Sequence, residues 1–524
     1  MAINTEVDNL SPKVNGPTNP DRTTRLFNAD LTIVDAQLQA RPYLAEAMPQ
    51  LNTNSWRVLP DGGMETTWTL RPGLTWHDGV VLTADDFVFA LSLYKSQELG
   101  AFFTPKPQDL IDHMAAVDSR TLRITWRVPY LHQGDGLTPL PRHILAEPFA
   151  GFQQDPIGQR DSFTSLRFWT TEYVGAGPFR LTSWEPAAHL TGEAFTGHAL
   201  GKPKISRIEL RFINNNNTAL ANVMAGDIDM ALAQAIRFEQ AMTLREQAGY
   251  NDTEKKGVLL FSPQSTVTVA YQFRSEFQQT PGLLDLRVRQ AIAHATDREA
   301  INDRLFEGQS PVPLSFVYPE ASYYADLDRV MTKYPYDPKR TEQLMIEAGY
   351  SRDRDAIWIG ATGQRFQPAF YDNGDAQHQI MAAILLDSWR RAGIDAQNFV
   401  MPQSFILDLE AVSTYPGSII ETVGNSAFAD RYSSTQIASP ANRWRGSNRG
   451  GWANPDFDRA WDRFNSTLDI NEQNQAVVDM MKIHSEQLPS YPLSFNLQVV
   501  AHTAALKGPQ KEVRSWNIHE WEWQ

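Results

Sequence analysis

The 524-residue sequence has no cysteine, which excludes disulfides, thiolate metal sites and a cysteine nucleophile. It has no apolar run of about eighteen residues, the length a membrane-spanning helix needs. Basic residues are in deficit: 47 Lys and Arg face 61 Asp and Glu, for a net charge of −14. That balance argues against a nucleic-acid groove, which needs clustered cations to displace counterions, and against an anionic membrane surface. HExxH, GxSxG and a complete phosphate-binding loop are all missing, and the 11 histidines are scattered. No metal, cofactor or catalytic centre is marked. There is no internal repeat or low-complexity tract. The opening, MAINTEVDNLSPKVNGPTNPD, lacks the basic and apolar regions of a signal peptide.

What is present is a soluble globular composition, with 42% hydrophobic and 21% charged residues, in a chain long enough for more than one domain. The most informative stretch is LRPGLTWHDGVVLTADDFVFAL, from Leu70 to Leu91. Arg71-Pro72-Gly73 and His77-Asp78-Gly79 are turn chemistry, because proline presets φ and glycine accepts positive φ. Thr83 and Asp86 form a capping pair, and Phe87, Ala90, Leu91 and Tyr94 then recur at helical spacing on one face.

The order of residues here resembles the signature of the family 5 extracytoplasmic solute-binding proteins, the peptide, opine, nickel and oligosaccharide receptors of ABC importers. Leu70, Arg71, Pro72, Gly73, Asp78, Gly79, Leu82, Thr83, Ala84, Asp86 and Phe89 carry the match. Further stretches resemble the same family in the expected order, from about Arg25 to Gly508. They include Tyr43-Leu44-Ala45-Glu46, LTPLPRHIL with Pro141 and His143, VGAGPFRLTSWEP, LLDLRVRQAIAHATDREAI, YPYDPKRTEQLMIEAGY and LPSYPLSFNLQVV. Read for themselves, RTLRITWRV alternates as a strand with Leu122, Ile124 and Trp126 on one face. Ile208, Leu210 and Phe212 do the same, and Ala219, Val223 and Met224 suggest a helix face ending at Gly226. Asp285 and Asp337 are expected helix caps, with Val288, Ala291, Ile292 and Ala295 inward after the first and Gly349 as the stop after the second. The four asparagines from Asn214 to Asn217 are expected to make a turn and a cap, and His143 to be structural.

The resemblance implies an α/β, two-lobed Venus-flytrap architecture, the periplasmic binding-protein type II fold, with an additional inserted subdomain. Lobe I would comprise residues 1–40, 173–262 and 491–524, with 41–172 inserted, and lobe II would be 263–490. Chain crossings near LLFSPQS and QLPSYPL would act as a hinge closing on ligand. It further implies a non-enzymatic receptor without a cofactor: a monomer that hands its solute to the membrane permease of an ABC importer. Periplasmic or cell-surface anchored placement is expected, after removal of an export signal.

The ligand class is read as a peptide or an oligosaccharide. IIETVGNSAFADRYSS resembles the loop in which peptide receptors keep an Asp for the ligand's amino terminus; it has Asp430 but not the Asp-Pro that follows in relatives. Glu410 and Glu421 fall where some receptors carry cations for a ligand carboxylate, which argues against a free carboxylate. Trp444, flanked by Arg443 and Arg445 in a polar, glycine-rich segment, is a candidate platform for a sugar ring. Trp68, Trp126 and Trp461 are expected in the core. Asn28, Phe273, Arg274, Asn373, His378, Asn425 and Phe428 complete the positions expected to border the ligand. The alternatives are a secreted glycoside hydrolase, which would need two carboxylates flanking a glycosidic bond, and a cytosolic ligand sensor on the same fold.

Overall fold

The computed structural model describes residues 1–14, 25–36, 39–99, 102–103, 106–232, 234–251, 256–424, 428–510 and 517–524. The chain divides into two compact units, residues 1–262 with 498–524, and residues 263–497. Each passage between them lies inside a long strand, Gly257–Tyr271 or Ser490–Thr503.

In the first unit, strands Met230–Ala231, Ala2–Ile3, Arg207–Phe212, His189–Ala194 and Phe179–Glu185 lie side by side in that order. Ala2 pairs in parallel with both Ala231 and Arg211, and the two outer pairings are antiparallel, with Leu210 opposite Leu190. A separate four-stranded sheet runs Trp56–Val58, Met64–Thr69, Thr121–Trp126, Ile111–Ala116. Leu122, Ile124 and Trp126 are buried on its inner face, as the alternation requires, and Trp68 is buried with them.

The signature stretch joins these parts. Gly73 and Gly79 take positive φ in the two turns. The helix Ala84–Tyr94 follows, with Phe87, Ala90, Leu91 and Tyr94 buried. Asp86 accepts from the Thr83 amide at 2.8 Å, the Arg142 amide at 3.1 Å and the Trp76 indole at 3.4 Å. One carboxylate thus ties the helix start to two other segments. His143 lies in the helix Arg142–Gln154 and pairs with Asp78 at 2.7 Å, a structural role.

The turn at His77 docks on the second glycine cluster. The Gly175 amide donates to His77 Nδ1 at 3.2 Å, so Nε2 carries the proton and donates to the Gly177 carbonyl at 3.0 Å. A Cβ on Gly177 would stand 2.3 Å from the Asn28 nitrogen, and one on Gly175 2.0 Å from the Phe27 carbonyl oxygen. These glycines serve close backbone approach.

In the second unit, Gln397–Val400, Ala369–Asp372, Ser418–Gly424 and the latter part of Gly257–Tyr271 are successive strands. The first two pairings are parallel and the third antiparallel. Helices close over this sheet, and their caps follow the sequence closely. Asp285 accepts from the Arg287 amide, Asp337 from the Lys339 and Arg340 amides, and Asn454 from the Asp456 and Phe457 amides. Val288, Ala291, Ile292 and Ala295 are buried together, and Gly349 has φ +88° just past its helix. In the first unit Asn215 caps Asn216–Ala225, and Gly226 ends that helix in the left-handed region. Met224 departs from expectation: it is 43% exposed, because it follows Ala219 by five residues and leaves the buried face. Trp461 is only partly buried and stacks on Phe464.

Candidate functional site

The second unit contains a small recess whose lining includes Glu421, Arg431, Tyr432, Asn448, Arg449 and Trp452. Its construction starts from the antiparallel pairing of Thr268 with Glu421, which sets the Glu421 carboxyl in the middle of a strand pair with only 8% residue exposure. A buried carboxylate needs a partner. The partner is Arg431, on the short helix Phe428–Tyr432, which donates from Nε to Glu421 Oε1 at 2.9 Å and from a terminal nitrogen to Oε2. Burial opposes the Arg431 charge, yet the Glu421 carboxylate outweighs it and raises the guanidinium above its ordinary value. Tyr432, on the same helix, donates to or accepts from Ser490 Oγ at 2.6 Å.

The other wall comes from residues 448–452. Asn448 donates to the carbonyls of Ser433 and Trp452 at 3.1 and 2.7 Å, while its own oxygen accepts from the Gly451 amide. Gly450 then lies against the sheet: a Cβ there would be 2.3 Å from the Tyr271 carbonyl oxygen and 3.1 Å from the Tyr415 hydroxyl. Its carbonyl accepts from the Phe273 amide at 2.8 Å. Glycine at this position allows the loop to carry Arg449 into the recess wall.

The expected ligand-bordering residues divide by what they already hold. Arg274 donates to the carbonyls of Ala438, Ser413 and Arg449 and to Gln272 Oε1, and burial lowers it from its ordinary value. It is a clamp for three loop segments. Its guanidinium also lies 5.7 Å from the Trp444 ring centre and 5.0 Å from that of Phe277. Trp444 is therefore engaged within the protein, with φ +61°. Phe273 carries the Arg289 guanidinium 4.7 Å above its ring. Phe428 stacks on Phe316 in the core. Asn28 belongs to the first unit, where it donates to the Leu10 carbonyl at 2.6 Å and accepts from the Tyr173 hydroxyl.

Asn373 and His378 sit together where the strand Ala369–Asp372 leads into the helix Ala376–Arg391. Asn373 accepts from the Asp375 amide at 3.2 Å. His378 contacts Thr422 Oγ1 at 3.2 Å through Nε2, and its Nδ1 lies 3.0 Å from Asp375 Oδ2 without hydrogen-bond alignment. Burial lowers its basicity, and Asp375 and Asp372 partly oppose this. Glu410 is exposed. Asn425 lies outside the described residues. Asp430 is half-buried, and among the described residues its carboxylate forms no ion pair or side-chain hydrogen bond. Its backbone carbonyl accepts from Ser447 Oγ at 3.3 Å.

Sequence reasoning missed Arg431 and Arg449. The only local sign of Arg449 was the Gly450-Gly451 pair beside it. Among the described residues, no three of His, Asp and Glu converge to hold a metal ion, and no helix is long and apolar enough to cross a membrane.

The chain is a mixed α/β protein of two compact units. Residues 46–442 match the bacterial extracellular solute-binding proteins, family 5, and the chain belongs to this family of non-enzymatic proteins of ABC import. It is 22% identical to the oligopeptide-binding protein AppA of Bacillus subtilis over 94% of this chain and 85% of the relative. The structure of AppA in complex with a nonapeptide superposes with a TM-score of 0.72 at 20% identity, covering 100% of this chain and 98% of the other. NikZ from Campylobacter jejuni, solved with Ni(L-His), gives a TM-score of 0.72 at 21% identity over 99% and 98% of the two chains. The α/β fold with an extra subdomain is thereby shared with family 5 receptors.

Proposed function

We propose that this receptor captures short peptides outside the cytoplasm and delivers them to the permease of an ABC importer, with Asp430 accepting the ligand's amino terminus. The observation that carries this reading is the Asp430 carboxylate: half-buried, without a cation among the described residues, and next in sequence to Arg431 and Tyr432, which line the recess. A carboxylate held this way gains from an ammonium group, and a charge-assisted hydrogen bond there is worth about 1.5–3 kcal/mol, or about ten- to a hundredfold in affinity. The similarity to an oligopeptide-binding protein supports the same class. The engagement of Trp444 by Arg274 weakens the oligosaccharide alternative, because that ring face already has a partner. The sequence-derived segments carry over to this proposal, with 41–172 inserted in lobe I and 263–490 as lobe II.

Calorimetric titration with tri- to pentapeptides and their N-acetylated forms tests it. N-acetylation and Asp430→Asn are each expected to weaken binding about tenfold or more, with no further loss when combined. Acetylated peptides that bind as well as free ones would overturn the role of Asp430.

A further inference from the structure

The strand Ala369–Asp372 passes through Asn373-Gly374-Asp375 into the helix Ala376–Arg391. Asn373-Gly374 is the only Asn-Gly pair among the described residues. Gly374 takes φ +78°, and a Cβ there would meet Val400 Cγ1 at 3.2 Å. Its amide nitrogen, the next along the chain from the Asn373 side chain, donates to Asp372 Oδ1 at 3.0 Å. Asp372 is buried, and its Oδ2 has no partner among the described residues. On the other side, the Asp375 amide donates to Asn373 Oδ1 at 3.2 Å. Asn373 itself is half-buried, within reach of water.

A nitrogen nucleophile, a carboxylate within reach of its proton and a donor on the oxygen of the carbonyl under attack are the components of acyl transfer. We propose that Asn373-Gly374 is a self-modification site, at which the Gly374 nitrogen closes on the Asn373 side-chain carbonyl with Asp372 as the base. The bond from the Gly374 nitrogen to Asn373 Cγ forms as Asp372 takes the amide proton. The Cγ–Nδ2 bond then breaks, and the proton leaves with that nitrogen as ammonia. Water opens the resulting cyclic imide at either carbonyl, giving aspartate or isoaspartate, so water is consumed and ammonia released in equal number. Covalent linkage holds the reacting groups as neighbours, and the missing Cβ leaves the approach unobstructed. The Asp375 amide answers the charge that develops on the carbonyl oxygen. The receptor thereby gains a negative charge, irreversibly, between Asp372 and Asp375 in the turn that leads to His378. Isoaspartate also adds a methylene to the backbone there. The proposal does not depend on which solute the protein carries.

The test is tryptic-peptide mass spectrometry of the whole chain after incubation at about pH 6 and about pH 8, folded and in urea, with the aspartate and isoaspartate forms separated by chromatography. In the unfolded chain hydroxide must take the amide proton, so the rate should rise about tenfold per pH unit. In the folded protein Asp372 is already in place, so the rate should change less than about threefold over that range and exceed the unfolded rate at about pH 6. Asp372→Asn keeps an oxygen for the Gly374 amide but cannot take up its proton. It should restore the steep pH dependence and slow the modification at about pH 6 by about tenfold or more. Asn373→Gln, which would have to close a larger ring, should stay unmodified at residue 373. Slower modification in the folded protein than in urea at both pH values would mean that the hydrogen bond from Gly374 protects the amide, and would overturn the proposal. So would an Asp372→Asn profile equal to that of the unaltered protein. The comparison of folded and unfolded chains needs no variant, so it decides the question even if Asp372→Asn does not fold.

Discussion

The Glu421–Arg431 pair offers the sharpest energetic prediction. The two side chains retain 8% and 15% exposure, and two parallel N–H···O bonds join them. Glu421→Gln keeps the volume but removes the charge, leaving the Arg431 guanidinium buried beside Arg449 with nothing to neutralise it. Breaking one side of a buried pair costs about 3–5 kcal/mol, whereas an exposed pair is worth about 0–1 kcal/mol. The same reasoning makes the double change Glu421→Gln/Arg431→Met cheaper than Glu421→Gln alone, because it removes the stranded cation along with its partner. Urea unfolding followed by tryptophan fluorescence reads both values from midpoints at unchanged slope. A loss under about 1 kcal/mol for Glu421→Gln, or a double variant equal to the sum of the singles, would refute the buried-pair account.

Three further outcomes follow from neighbouring features. His77 is neutral and buried, with its pKa lowered from 6.5 to about 4 by desolvation. The unfolded chain therefore takes up the proton first, so the stability His77 contributes is complete above pH 6.5 and falls as pH drops toward 4, by up to about 3 kcal/mol. Urea midpoints at pH 7 and pH 5 should show this slope, and His77→Gln should reduce it. Gly450→Ala should cost about 1–3 kcal/mol by forcing a methyl group against the Tyr271 carbonyl. Gly424→Ala, with no atom within 4 Å of its added carbon, should stay within about 0.5 kcal/mol in the same assay. Trp444→Ala should lose about 0.5–1 kcal/mol of stability with its cation–π contact to Arg274, and should leave peptide affinity within about twofold by calorimetry.

Much of the fold was legible because it is written in local chemistry. Asp285, Asp337 and Asn215 cap their helices through their own side chains, and Leu122, Ile124 and Trp126 reach the core by strand alternation alone. Gly175 and Gly177 stand in a stretch that resembles the family, but the segment pressed against them, Phe27–Asn28, lies far away in sequence. The site was less legible for the same reason. Glu421 reads as a free acid until the chain turns and brings Arg431 back across the strand. Trp444 reads as an open ring until Arg274 crosses from another segment to cover it. Arg449 has no periodicity or cap to mark it.

The central claim, a non-enzymatic receptor for peptides, is tested most directly by a thermal-shift panel of short peptides, oligosaccharides and single amino acids, with the bound solute recovered afterwards by mass spectrometry. Stabilisation should grow as RT ln(1 + [L]/Kd). The account predicts selective stabilisation by peptides, loss of that response in Asp430→Asn, and recovery of the peptides intact. Stabilisation by oligosaccharides alone, or recovery of a cleaved solute, would contradict it.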